Sequence, residues 1–255
     1  MVSLIFPADI YKSTACKFQT IPQGSIIPII AACATLMNLL GFSMPADANI
    51  STNTYCQGEL QGGVLNGKGT CVFPSGNRYT GEFRNGVRHG RGVFSYADGT
   101  DCEGEFRDDL LNGKGVCMFA NGNRYEGEFQ DGVINGKGVF TFLDGTRCEG
   151  EFRNGQLNGF GVCTFSTGNR YEGEFRNSRK QGKGVFIYAD GSRCQGEFRN
   201  GQLHGFGVCT FASGNRYQGE FRNNLQHGNG VFIYATGTRL EGIWKDGNLE
   251  QVVRR

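Results

Sequence analysis

The sequence predicts an all-β chain, an elongated single-layer antiparallel ribbon of stacked 23-residue β-hairpins behind an apolar N-terminal targeting segment. Three observations carry that prediction. A frame of 23 residues recurs from Cys56 to the C-terminal end, and a fixed period of that size marks a repeat architecture. Within each copy, apolar or small residues take every second place, the spacing of a half-buried strand. Glycine supplies 42 of the 255 residues, about twice the usual fraction, and it falls in register from copy to copy.

The N-terminal segment comes first in chain order. Ser25 to Phe42 carries no charge, follows Lys12 and Lys17, and precedes Ala46-Asp47-Ala48. A basic flank, an apolar core and a small-x-small site are the parts of an export signal. Residues 1–48 are therefore expected to be a signal peptide cut after Ala48, or an uncleaved membrane anchor, which Pro28 and Asn38 weaken. An organelle-targeting presequence is a third reading. Ile30-Ala31-Ala32-Cys33 resembles a lipoprotein cleavage box, but the apolar run continues past Cys33. With Lys12 and Lys17 held on the cytoplasmic side, signal and anchor both deliver the repeats across a membrane. The expected location is periplasmic or secreted, or an organelle lumen. Residues 49–55 read as a linker and 56–255 as the ribbon, with eight full copies and a truncated ninth. Four of the five prolines precede residue 49, which sharpens that boundary.

Position 0 of the frame is Cys56, Tyr79, Cys102, Tyr125, Cys148, Tyr171, Cys194, Tyr217 and Leu240. The first strand runs from there, with glycine at position 2 and a large apolar residue at position 4. Asn-Gly, as in Asn154-Gly155, tolerates the positive φ of a tight reversal. A second alternating run follows, such as Gly136-Lys137-Gly138-Val139-Phe140, with glycine at positions 11 and 13 and Phe or Tyr at position 17. Glycine at position 20 turns the chain into the next copy. One hairpin is marginal in water, so the copies must stack edge to edge. At two strands per copy the ribbon grows roughly 10 Å per repeat, on the order of 80 Å in all.

The stretches CEGEFRNG, Cys148 to Gly155, and GKGVFIYADG, Gly182 to Gly191, resemble the MORN (membrane occupation and recognition nexus) repeat. The resemblance covers Cys56 to about Gly247. The departures are cysteines for aromatics in alternate copies, and Asp109, Ser178 and Asn224 in place of the loop glycine. It implies an elongated β-ribbon scaffold with an aromatic groove, protein–protein contacts, and association with phospholipid membranes. Many members join the repeats to a separate catalytic domain; the residues outside the repeats here supply none.

Cysteines and aromatics alternate as pairs. Cys56 with Cys71, Cys102 with Cys117, Cys148 with Cys163 and Cys194 with Cys209 occupy positions 0 and 15 of the odd copies; even copies carry Tyr and Phe there. In an exported chain such an even set suggests bridges. Corresponding sulfurs of different odd copies lie roughly 20 Å apart at two strands per repeat, and a disulfide needs Cα atoms within about 7 Å. Bridges inside each hairpin follow if position 0 faces position 15. If it faces position 17, the cysteines sit diagonally and bridging needs distortion. Buried free thiols and metal ligation are the alternatives, the latter disfavoured because one hairpin offers two ligands where a structural zinc takes four.

Composition narrows the function. Lys and Arg number 26 against 24 Asp and Glu, a net charge of +2. Glutamate at position 3 (Glu82, Glu105, Glu128, Glu151) and arginine at position 5 (Arg84, Arg107, Arg153) form interleaved rows that suit cross-strand pairing on a solvated face. A nucleic-acid stripe would need basic charge without interleaved acid. His89, His204 and His227 exchange with asparagine at position 10 and read as loop residues. No nucleophile elbow, phosphate loop or zinc helix appears, so no catalytic residue, metal or cofactor is expected. The candidate binding residues are the position 4 aromatics Phe83, Phe106, Phe129, Phe152, Phe175, Phe198, Phe221 and Trp244, on a face shared with position 17 aromatics such as Phe119, Phe142 and Tyr188. A single-layer ribbon has no second sheet to cover all of them, and an exposed apolar strip marks a binding surface. Two functions follow. One is a non-enzymatic scaffold for a protein segment or a second copy of the chain. The other is a peripheral module for anionic lipid using Lys68, Arg91, Lys114, Lys137 and Lys183 at position 12, a row broken by Phe160, Phe206 and Asn229.

Overall fold

A computed structural model describes residues 54–253. The expected targeting segment, 1–48, and most of the linker lie outside the described residues; Tyr55, assigned to the linker, already stands in the first strand. The described residues form one 18-stranded antiparallel sheet. Strand β1 (Tyr55–Gln61) pairs with β2 (Val64–Val72), β2 with β3 (Arg78–Arg84), and β3 with β4 (Val87–Ser95). The same alternation of a shorter and a longer strand continues up to the last hairpin, where β17 (Arg239–Lys245) is followed by the shorter β18 (Asn248–Val252), and each strand pairs with the next in sequence.

The two turns of each copy follow from their residues. Asn85 and Gly86 stand at φ 50° and 80° between β3 and β4, the double positive φ of a type I′ hairpin turn whose twist matches the strands it joins. The turn between copies is longer. Phe73 N–H donates to the Asn77 carbonyl at 2.9 Å and Gly76 N–H to the Phe73 carbonyl at 2.9 Å. Between them the register shifts from Gly81↔Gly92 to Phe83↔Arg88, so three residues of β4 oppose Glu82 alone. Such a bulge bends its strand and adds twist.

Register settles the cysteine question. Position 0 faces position 15: Tyr79 opposes Phe94 and Cys56 opposes Cys71. Position 15 also faces position 0 of the next copy, as Cys71 faces Tyr79 and Phe94 faces Cys102. One continuous row across the sheet thus alternates two sulfurs with two rings. All four expected disulfides are present, each with Cα atoms 4.1 Å apart.

The core is this row together with what lies over the glycines. Tyr79, Tyr125, Tyr171 and Tyr217 have no exposed surface. Each ring lies across the glycine pair of its own hairpin, and a Cβ added at Gly92 would fall 2.5 Å from Tyr79 Cζ. The hydroxyl continues past the glycines to donate to the position 3 carbonyl, for Tyr79 to Glu82 O at 3.1 Å. Odd copies have only sulfur at position 0, and there the position 9 leucine covers the glycines. Leu111 and Leu157 are 7 % and 3 % exposed, with their Cδ1 atoms 2.8 Å from where a Cβ on Gly104 or Gly150 would stand.

Copies are stitched by side chains as well as by strands. The oxygen at position 21 accepts the position 18 N–H of the following copy, as in Ala97 N–H to Asn77 Oδ1 at 2.9 Å and Ala120 N–H to Thr100 Oγ1 at 3.2 Å. The three departures from loop glycine form another stitch. Asp109 Oδ1, Ser178 Oγ and Asn224 Oδ1 accept the N–H of Arg88, Leu157 and Leu203, at 3.0, 3.1 and 2.8 Å. A side chain can replace glycine there because it recovers a hydrogen bond that offsets the cost of positive φ.

Candidate functional site: the ring face and its cations

The ring face is built from four equivalent clusters, one per even copy. Each joins the position 17 ring of the preceding copy, the rings at positions 0 and 15 of its own copy, and the position 4 ring of the next. In the third cluster Phe165 stacks on Phe186 at 6.1 Å between centroids, and Tyr171 meets Phe198 edge-on at 4.9 Å. In the fourth, Trp244 takes the last place at 5.2 Å from Tyr217.

The eight candidate groove aromatics sit in this core. Phe83, Phe106, Phe129, Phe152, Phe175, Phe198, Phe221 and Trp244 are all 3–8 % exposed, because each packs against a tyrosine ring of its own or the neighbouring copy. On this face the rings that reach solvent stand at position 17. Tyr96, Phe142 and Tyr234 are 44 %, 37 % and 41 % exposed, and Phe73, Phe119, Phe165, Tyr188 and Phe211 are half-buried. Tyr96 leans on Phe94 at 4.6 Å and Phe142 on Phe140 at 4.7 Å, so the buried rings support the exposed ones.

Position 9 holds ring-face residues that sequence reasoning missed. It alternates leucine in odd copies with Arg88, Ile134, Lys180 and Gln226 in even ones. That alternation is in phase with the cysteines and was the available signal. Where the tyrosine covers the glycines, the position 9 side chain is pushed out among the rings. Arg88 Cζ lies 4.8 Å from the Phe94 centroid, and Arg88 Nε donates to Asp109 Oδ1 at 2.9 Å. Lys180 Nζ lies 4.4 Å from the Phe186 centroid, 5.6 Å from Tyr171, and 5.9 Å from both Phe165 and Phe198. Each contact favours the cation by about 0.5–2 kcal/mol, and burial opposes it. Burial accordingly lowers the Lys180 pKa to about 8. It raises Tyr79, Tyr125 and Tyr217 to about 12, and Tyr171 further still.

The opposite face is charged, with two corrections to the expected pattern. Most ion pairs run along single strands, as Arg124–Glu126, Arg147–Glu149 and Arg170–Glu172 do at 2.7, 2.9 and 2.7 Å, while Lys245–Glu250 joins β17 to β18. The position 3 glutamates of even copies accept backbone N–H groups of the bulge instead, as Lys137 N–H donates to Glu128 Oε2 at 3.0 Å and Lys183 N–H to Glu174 Oε1 at 3.1 Å. In register, every position 12 residue but Asn229, which opposes Ile243, opposes a glutamate of the next copy, as Lys68 opposes Glu82 and Lys114 opposes Glu128. Phe160 and Phe206 are 63 % and 59 % exposed in this row. His89, His204 and His227 lie on strands, not in loops, at the bulge where the register shifts. Side chains there reach the next turn: Asn112 Nδ2 donates to Asp131 Oδ1 at 3.0 Å, and His227 Nδ1 stands 3.6 Å from Asp246 Oδ1.

Three solved structures show some likeness to the chain. The TCP10 domain of Danio rerio CPAP, in complex with a peptide of Danio rerio STIL, is 15 % identical, covers 73 % of this chain and 82 % of its own, and has a TM-score of 0.45. The G-box domain of the microcephaly protein CPAP is 15 % identical over 74 % of this chain and all of its own, at a TM-score of 0.46. The dCPAP TCP domain of Drosophila melanogaster, in complex with a proline-rich motif of Ana2, is 15 % identical over 61 % and 85 %, at 0.40. No curated protein matches the chain. The pattern that defines the MORN repeat, by contrast, matches eight consecutive segments from 56–78 to 217–239 without a gap. With the frame, the register and those eight matches in agreement, the chain belongs to the MORN repeat family.

Proposed function

We propose that the chain is a non-enzymatic scaffold, exported across a membrane, that seats an extended segment of a partner protein or of a second copy of itself along its ring face. The observation that carries this reading is the line of position 17 rings: Tyr96, Phe142 and Tyr234 are 37–44 % exposed, with half-buried rings between them. At two strands per copy this places a reachable ring roughly every 10 Å, over a floor formed by the buried position 4 aromatics. The hairpin disulfides support export, since such bonds persist in oxidising compartments. Replacing Tyr96, Phe142 and Tyr234 together by serine tests the reading, because none of the three is buried. Affinity capture with the wild-type chain should retain a partner that the triple variant loses and that a Thr210→Ser control on the other face keeps. An identical captured set from wild type and triple variant refutes it.

Exposed Phe160 and Phe206 beside Lys137 and Lys183 favour a second reading, peripheral binding to anionic phospholipid. The opposed glutamates weaken it. Flotation with anionic vesicles at low and physiological salt supports this reading, and failure at both leaves the scaffold.

A further inference from the structure

The four even copies repeat one environment with four occupants at position 9, and comparing them inside the chain isolates what is missing at one. At the first cluster Arg88 carries its own anion. Asp109, at position 7 of the next copy, accepts both the Arg88 backbone N–H at 3.0 Å and Nε at 2.9 Å on Oδ1. Its side chain is half-exposed. At the second and fourth clusters Ile134 and Gln226 bear no charge, and position 7 of the next copy is Gly155 or Gly247.

The third cluster breaks the rule. Lys180 is a cation among four rings, yet position 7 of its next copy is Gly201. The backbone there is arranged as it is beside Arg88: Gly201 N–H donates to Lys180 O at 2.9 Å, as Asp109 N–H donates to Arg88 O at 3.1 Å. Lysine stands for arginine and the carboxylate is missing, and none of the ion pairs among the described residues includes Lys180. The place is also open. A Cβ built on Gly201 would meet Lys180 Cε at 4.0 Å, ordinary contact, with no closer atom. Burial disfavours the ammonium here, and an approaching carboxylate relieves that cost through a charge-assisted hydrogen bond.

We infer that Lys180 and its ring cluster form a docking point for a carboxylate on an acidic side chain of the bound segment, seated where Asp109 sits beside Arg88. The inference rests on the reading of the ring face as a peptide-binding surface, and it adds what that reading lacks, a chemical preference at a fixed point. A segment crossing Phe165, Lys180 and Tyr188 meets ring, cation and ring, so it presents an acidic residue between apolar ones.

The test uses the full chain and two fluorescein-labelled peptides, Phe-Gly-Glu-Gly-Phe and Phe-Gly-Gln-Gly-Phe, with binding read by anisotropy at physiological salt. The glutamate peptide should bind about tenfold more tightly, the scale of one hydrogen bond to a charged group. Lys180→Gln, which copies the fourth cluster, should remove the preference. Gly201→Asp, which copies the first, should remove it too by filling the place from within the chain. Asp109→Gly should create a second glutamate-preferring site at Arg88. Asp109 stands at φ 68° and Gly201 at φ 87°, so these exchanges suit the backbone, and circular dichroism checks that each variant folds. Equal affinity for the two peptides overturns the carboxylate inference and leaves the ring-face reading. A preference that survives Lys180→Gln also overturns the inference. Binding of neither peptide overturns both.

Discussion

Replacing Cys148 and Cys163 by tyrosine and phenylalanine gives an odd hairpin the residues that even hairpins carry at positions 0 and 15, and it should fail unless Leu157 changes as well. Leu157 is 3 % exposed over Gly150 and Gly161, with Cδ1 2.8 Å from where a Gly150 Cβ would stand. The corresponding place over Gly173 and Gly184 is filled by the Tyr171 ring. Leucine and ring need the same volume, and forcing both into it costs about 1–3 kcal/mol. Loss of the bridge adds up to about 3 kcal/mol for a fifteen-residue loop, but that cost is shared by the double variant and the triple variant with Leu157→Gln. Leu157→Gln alone empties a buried site, at about 2 kcal/mol or more. The triple variant should therefore be more stable than the sum of its parts by about 3 kcal/mol or more. Repeat arrays open locally, so the cycle is read by native-state amide exchange across residues 147–164. Additivity within about 0.5 kcal/mol would refute the exchange of ring and leucine over the glycines.

Other outcomes follow from the same contacts. Gly92→Ala should cost about 3 kcal/mol in chemical denaturation, since its methyl falls on the Tyr79 ring. Asn123→Ala removes the acceptor for Leu143 N–H at 3.0 Å and should cost about 1 kcal/mol, read as faster amide exchange at Leu143. In a reduction time course followed by alkylation and mass measurement, Cys56–Cys71 should open first, because Cys56 is exposed while Cys102, Cys117, Cys194 and Cys209 are 3–7 % exposed. Alkali should act with two signs. The tyrosines titrate at about 12 when folded against 10.0 unfolded, so their contribution is complete below pH 10 and is lost as pH rises through 12. Lys180 titrates at about 8 folded against 10.5 unfolded. The unfolded chain therefore holds the extra proton between those values, and stability rises with pH across that window. Lys180→Gln should abolish the rise without moving the tyrosinate absorbance transition.

Much of this fold was legible because each local signal is written eight times. Asn85-Gly86 and its counterparts fixed the hairpin turns, and Cys148 changing to Tyr171 as Cys163 changes to Phe186 pointed to their facing one another. Exposure was harder to read. Position 4 and position 17 aromatics look alike in sequence, and only the structure shows that Phe152 is buried against Tyr125 while Phe142 is exposed. The bulge hid more. It moves positions 10 to 12 out of simple alternation, which put the histidines on strands and gave the position 3 glutamates of even copies backbone N–H groups to bind. The position 9 alternation was visible as letters. Its meaning needed the knowledge that Tyr171 and Leu157 occupy equivalent volumes, a fact about three dimensions.

The most direct test of the account is peptide mass mapping of the oxidised full chain under non-reducing conditions. It should return four links, Cys56–Cys71, Cys102–Cys117, Cys148–Cys163 and Cys194–Cys209, because sulfur pairs face each other only within odd hairpins. A link joining cysteines of two different copies would contradict the register from which the ring face and its cations are built.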